Sequence, residues 1–405
     1  MKTKKNKQVY CFIILLLSLL NGSVVFAQFK IQHSDKPLVS KRGVCGVFKK
    51  IPKICVVPQQ ARIDSAMRVA AKSPYQLGIG VPIDVNITME NAGKWKETKT
   101  HRIWILEIEA TEADQILIGF DRMNLPENAE LHYYSYDRKS LSKPSISNLN
   151  RLYNERGYVG LPALNGNGTI SSVIIEYKEP IHPYNPIRQF RINKILFGRF
   201  LNKGTSLRNM DNTEGGSCEI DINCPEGVCW HSEGMSIGNI RISASEYGTG
   251  VLLNTAANNK KVYLYTARHV VANLSDFNIN FSSVNFLFKS DACNSPSNYE
   301  EIYYPIKAIR AISTINDFAL LELDPDPDPT ANDDYKLTYM GWTRDSNAPL
   351  TPVTCLHHPD DPTIGGTFPL RISSSQSTIV TNDLIVEFAS PIGSIASGRL
   401  LCSRS

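Results

Sequence analysis

Val262-Tyr263-Leu264-Tyr265-Thr266-Ala267-Arg268-His269-Val270-Val271 runs an apolar β-type stretch through a Thr-Ala pair to a histidine. Forty-eight residues later, Ile315-Asn316-Asp317-Phe318-Ala319-Leu320-Leu321-Glu322-Leu323 puts an aspartate at the start of a second apolar strand. Taken singly, His269 reads as a core histidine and Asp317 as a capping residue. As an ordered pair, each at the end of a buried strand, they fit a catalytic couple. The aspartate accepts the proton of one imidazole nitrogen and fixes the tautomer, which leaves the other nitrogen to deprotonate a serine hydroxyl.

Around that pair lies a chain of 405 residues, long enough for two globular units. With 42% hydrophobic and 20% charged residues it can bury ordinary cores, which excludes a disordered or polytopic membrane protein. Its 43 basic and 39 acidic residues leave a net charge of +4, much of it at Lys2, Lys4, Lys5 and Lys7. No basic patch marks a nucleic-acid binder. Those lysines precede an apolar run from Tyr10 to Leu20 and the small-residue site Val25-Phe26-Ala27, the pattern of a secretory signal peptide over residues 1–27. The apolar run is shorter than the about 20 residues a membrane helix needs. A secreted product, extracellular or periplasmic, is expected. Nine cysteines, less Cys11 in the signal, leave eight for an oxidising compartment.

Residues 28–212 read as a β-rich N-terminal domain. HRIWILEIEA (101–110), ELHYYSYD (130–137) and SSVIIEYKEP (171–180) alternate in the strand manner, separated by turn clusters at 125–128 and 165–168. A packing helix is predicted over Ala61 to Lys72, with Ile63, Met67 and Val69 to Ala71 apolar. Cys45 and Cys55, without an accompanying histidine, suggest a local disulfide. The polar, glycine-bearing stretch between Lys203 and Gly216 is an exposed connector, and residues 213–405 form the second unit, with β-runs at 250–253, 261–266, 284–288 and 318–323. The Asp-Pro alternation from Asp324 to Pro329 suits a surface loop. His357 and His358, adjacent in a strand, point to opposite faces and read as structural residues; no metal site and no cofactor is expected.

Gly216-Ser217-Cys218-Glu219-Ile220-Asp221-Ile222-Asn223-Cys224-Pro225-Glu226-Gly227, Gly248-Thr249-Gly250-Val251-Leu252-Leu253-Asn254, the two segments above, Gly341-Trp342, Leu356-His357-His358-Pro359 and Arg371-Ile372-Ser373 occur in this order. Together they resemble secreted bacterial lysyl endopeptidases over residues 216 to about 398. The resemblance implies the chymotrypsin fold of two antiparallel β-barrels, His269 as general base, Asp317 as its orienting carboxylate, protein or peptide substrates, and a monomeric product of a zymogen. It also implies a Cys224–Cys293 disulfide, and leaves Cys218 without its proper partner. Residues 28–212 more weakly resemble the prosegment of these enzymes, which assists folding and is removed by proteolysis. The expected fold class is therefore all-β, a β-sandwich-like prosegment followed by an incomplete chymotrypsin-like double β-barrel. Val270 replaces the cysteine that often follows the family's histidine, and Gly248-Thr249-Gly250 stands where its partner is usual.

A protease of this type needs a Gly-x-Ser-Gly loop, whose backbone N–H groups form the oxyanion hole. The similarity places its first glycine at Gly398, as a remnant of that loop, and the nucleophile at position 400, which is Leu400. Ser397, Ser403 and Ser405 lack the flanking geometry. The sequence thus predicts a serine endopeptidase precursor that is C-terminally truncated or frameshifted and inactive as it stands. A non-catalytic secreted β-protein with a binding role is the alternative.

Overall fold

The computed structural model describes residues 29–44, 46–72, 78–164, 169–181, 188–201, 220–244, 246–256, 261–276, 278–293, 300–324, 337–342, 353–361, 366–367, 370–380, 383–388 and 402–403. The predicted signal peptide, Cys45, the connector, Cys218 and Gly398 lie outside them.

The chain is all-β. Its N-terminal strands are β1 (Phe29–His33), β2 (Lys53–Val56), β3 (Gly78–Thr88), β4 (Lys94–Glu97), β5 (His101–Ala110), β6 (Gln115–Asn124), β7 (Glu130–Ser135), β8 (Ser140–Ser142), β9 (Val159–Leu161), β10 (Ser172–Pro180) and β11 (Gln189–Phe200). They make a sandwich. One layer runs β1-β8-β7-β10-β5-β2, with β4 on β5, and the other is a 4-stranded sheet in the order β3-β11-β6-β9. Trp104, Leu106 and Ile108 of β5 meet Ile116, Ile118 and Phe120 of β6 in the shared core. The alternate residues Ile103 and Ile105 face outward, yet are buried under Val39 and Phe48 of an N-terminal loop. Both faces of β5 are therefore apolar, which is why it reads as a near-continuous hydrophobic run.

Two helices cover the sandwich. The first spans Gln60–Ala70 and buries Ile63 and Ala70; Val69, expected to pack, is exposed. The second, Ile146–Arg156, was not apparent in the sequence, although its signals are there. Ser145 caps the N–H of Asn148, and Gly157 takes the left-handed conformation (φ 68°) that ends it. Cys55 is an exposed free thiol whose sulfur lies 3.6 Å from Glu109 Oε1, so the expected Cys45–Cys55 bridge is not made. Its place on β2, beside Glu109 in the parallel register with β5, aims it at a carboxylate.

After β12 (Ile220–Asp221) come β13 (Ile237–Ile242), β14 (Glu246–Leu253), β15 (Tyr263–Ala267), β16 (Ser283–Phe286), β17 (Glu300–Ser313) and β18 (Phe318–Leu323). The path β16-β13-β14-β15-β18-β17 closes through a β16–β17 pairing into a barrel. Ile240, Leu264, Val284, Phe286 and Leu321 fill it. The 14-residue β17 pairs both β16 and β18 because register shifts after Ile306 and Ile309 bend it around the barrel. β19 (Val353–His357), the short pair β20 (Asp360–Asp361) and β21 (Gly366–Thr367), β22 (Arg371–Val380), β23 (Asp383–Phe388) and β24 (Cys402–Ser403) follow. Among the described residues, the sheet β12-β22-β19-β24, with β23 on β22, does not close. This open sheet lies beside the closed barrel, joined to it through Ile222, Trp230, Val251, Leu356 and Leu370.

The two units share a sheet. β1 lies between β8 of the sandwich and β17 of the barrel, pairing Phe29 with Tyr303 and Ile31 with both Glu301 and Ser142. At this seam the fully buried Glu301 accepts from His33 Nε2 (3.2 Å), Arg241 Nη2 (3.4 Å) and the Tyr303 hydroxyl (2.5 Å). Asp324 was expected in a surface loop. It is buried instead, accepting from Arg156 (2.9 Å) and Arg151 (3.3 Å) of the second helix.

Candidate active site

The antiparallel register of β15 and β18 sets Ala267 opposite Phe318, so the residues just beyond each strand end are neighbours. His269 follows β15 in a short 3-10 turn, Arg268–Val271. Asp317 sits at the tip of the β17–β18 hairpin with φ 47°, a left-handed conformation that Asp tolerates better than most side chains. Three contacts lock the pair. Arg268 N–H donates to the Asp317 carbonyl (3.1 Å), His269 N–H to Asp317 Oδ1 (3.1 Å), and His269 Nδ1–H to Asp317 Oδ2 (2.6 Å). A carboxylate can only accept, so the proton on that side of the ring is on Nδ1 and the basic lone pair is on Nε2. The side chains are partly open to solvent, at 16% for His269 and 34% for Asp317.

Thr266, three residues before the histidine, ties β15 to β14, its hydroxyl donating to the Thr249 carbonyl (2.9 Å). Thr249 Oγ1 in turn accepts the His358 N–H (3.0 Å), tying β14 of the closed barrel to the residue after β19 of the open sheet. No sequence signal marks this threonine pair, since its partners are 17 and 109 residues distant. His357 and His358 are both buried, and His358 stacks on Phe288 with ring centroids 5.6 Å apart. Among the described residues no group of three or more His, Cys, Asp or Glu side chains could hold a metal ion.

The missing disulfide beside the histidine has a steric counterpart. A Cβ on Gly248 would lie 2.5 Å from a Val270 methyl, so the valine fills the space a bridge would cross. Cys224 and Cys293, 69 apart in sequence, are disulfide-bonded. A bridge closing so long a loop contributes roughly 4 kcal/mol by limiting the unfolded chain. Cys224→Ser is expected to lower the urea midpoint accordingly; a loss below about 1 kcal/mol would show that the barrel does not depend on it. Cys355 is also disulfide-bonded, with Cys402 opposite it in the β19–β24 register, whereas Cys229 is an exposed free thiol.

Among the described residues no helix is long and apolar enough to cross a membrane. The family described as lysyl endopeptidase, C-terminal domain, matches residues 212–364, a span that contains both His269 and Asp317. Of solved structures, a crystal structure of Deg5 is similar at 15% identity, covering 43% of this chain and 77% of that one with a TM-score of 0.25. A superposition that loose fixes neither fold nor activity. Residues 212–364, which include the closed barrel and the first strands of the open sheet, are thus similar to the C-terminal domain of lysyl endopeptidase.

Proposed function

We propose that this chain is the precursor form of a secreted serine endopeptidase of the lysyl endopeptidase type, with residues 28–212 as its prosegment and 213–405 as its protease domain. The observation that carries the reading is the doubly anchored Asp317 carboxylate, which accepts both the ring and the backbone N–H of His269. In the reaction this supports, His269 Nε2 takes the proton of a serine hydroxyl as its oxygen attacks the scissile carbonyl. The imidazolium, stabilised by Asp317, then gives that proton to the leaving amine. Similarity to lysyl endopeptidases supports cleavage after lysine.

On this reading the resemblance would put the start of the oxyanion loop at Gly398 and the nucleophile at position 400, where the sequence has Leu400. The 405-residue chain is therefore expected to take up no fluorophosphonate probe. Codons following that of Gly398 are expected to encode Gly-x-Ser-Gly and further strands in another frame. The product of that frame should be labelled, and lose labelling on His269→Ala. Labelling of the 405-residue chain itself, or stop codons within a few positions in every frame, would overturn this reading in favour of a secreted β-protein that binds without catalysis.

A further inference from the structure

We propose that the N-terminal sandwich is a lasting, non-covalent partner of the first barrel, docked away from the His269–Asp317 pair, so that cutting the connector does not release it. Strand alternation in the 4-stranded sheet carries the inference. Ile79 and Val81, Ile116 and Ile118, and Ile195 and Phe197 face the sandwich core. The alternate positions of these strands and of β9 face the barrel, and Gly78, Gly80, Gly160 and Gly198 are among them. A Cβ on Gly78 would lie 2.7 Å from the Ala244 carbonyl oxygen, one on Gly80 3.0 Å from Ser243 Oγ, and one on Gly198 2.7 Å from Ala244 Cβ.

Gly160 makes the case most sharply. The three atoms nearest its missing Cβ all belong to the barrel unit, the closest being the Asn280 carbonyl oxygen at 2.0 Å. Its φ is not in the left-handed region, so the sandwich by itself has no need of glycine there. Leu117 and Leu196 complete the face and pack on Ala244 and Phe281. The addition of β1 to β17 and the pairing of Arg156 with Asp324 extend it. An apolar face shaped by its partner, a shared strand and buried ion pairs are the makings of a durable interface.

Placement separates this seam from the dyad. Along the β17–β18 hairpin, Asp317 is at the tip, whereas Glu300 to Tyr303 and Asp324 are at the base. The six residues of β18 set these ends on the order of 20 Å apart. The β1 and Asp324 part of the seam thus lies at the opposite end of the hairpin from Asp317.

The experiment is independent of any peptidase activity. A recognition sequence for a site-specific protease is placed between residues 203 and 216 of the full chain, which is then nicked and run on size-exclusion chromatography at micromolar concentration in native buffer. The two fragments are expected to co-elute, and in nicked Gly160→Val to dissociate at least tenfold more readily. Arg156→Glu, far from the sandwich core, is expected to do the same, and decides the matter if the valine variant does not fold. Separation of the nicked wild-type fragments, or no change in the variant that folds, would overturn the proposal.

Discussion

In a form completed with a Gly-x-Ser-Gly loop, as proposed, His269→Ala is expected to lower kcat on the order of a million-fold, and Asp317→Asn roughly ten-thousand-fold. The difference follows from the geometry. Removing the imidazole removes the group that, on the proposed reading, takes the hydroxyl proton. The asparagine keeps the volume at position 317 but can present an N–H to His269 Nδ1, where the native carboxylate accepts at 2.6 Å. The ring then adopts the other tautomer, with its lone pair turned away from the nucleophile. Single-turnover hydrolysis of a lysyl ester at saturating substrate measures both. Thermal unfolding of Asp317→Asn close to wild type would assign its loss to chemistry. Retention of more than about one tenth of kcat in His269→Ala would exclude this histidine as the base.

Glu301→Gln is expected to cost about 3–5 kcal/mol of stability at pH 7, because it leaves the Arg241 guanidinium buried without its counter-charge. Burial pushes the Glu301 carboxyl up, but Arg241, His33 and Tyr303 outweigh it and hold the carboxyl down at about 2. The phenol of Tyr133 also faces the pair from β7. Since the folded value lies below the ordinary 4.5, this carboxylate stabilises the fold fully above pH 4.5 and loses its contribution as pH falls toward 2. That contribution is ~3 kcal/mol. Urea midpoints of the two proteins should accordingly differ most at neutral pH and converge toward pH 2. A difference below about 1 kcal/mol at pH 7 would mean that the cluster behaves as an exposed pair.

Single strands were legible in the sequence wherever one local period decided them. His101–Ala110 and Phe318–Leu323 fall where their apolar runs place them, and His269 and Asp317 stand at strand ends as their flanks require. The all-β class needed no more than such local patterns. A local period cannot tell which partner covers each face when both faces are buried. Gly78, Gly80, Gly198 and Gly160 read as ordinary strand glycines until the barrel is set against them.

The ion pairs divide in the same way. Arg151 and Glu155, four apart on one helix, are a sequence pattern, whereas His33 and Glu301 are 268 residues apart and come together only through the strand addition of β1. The order and spacing of the two strand ends, together with the resemblance, paired Asp317 with His269, and the structure places them in hydrogen-bond contact. That Asp324, seven residues on, is buried against Arg156 depends on how the sandwich and the barrel meet. Contacts of that kind leave no periodic trace in the chain, because the surfaces that make them are selected to fit one another and not their own neighbours in sequence.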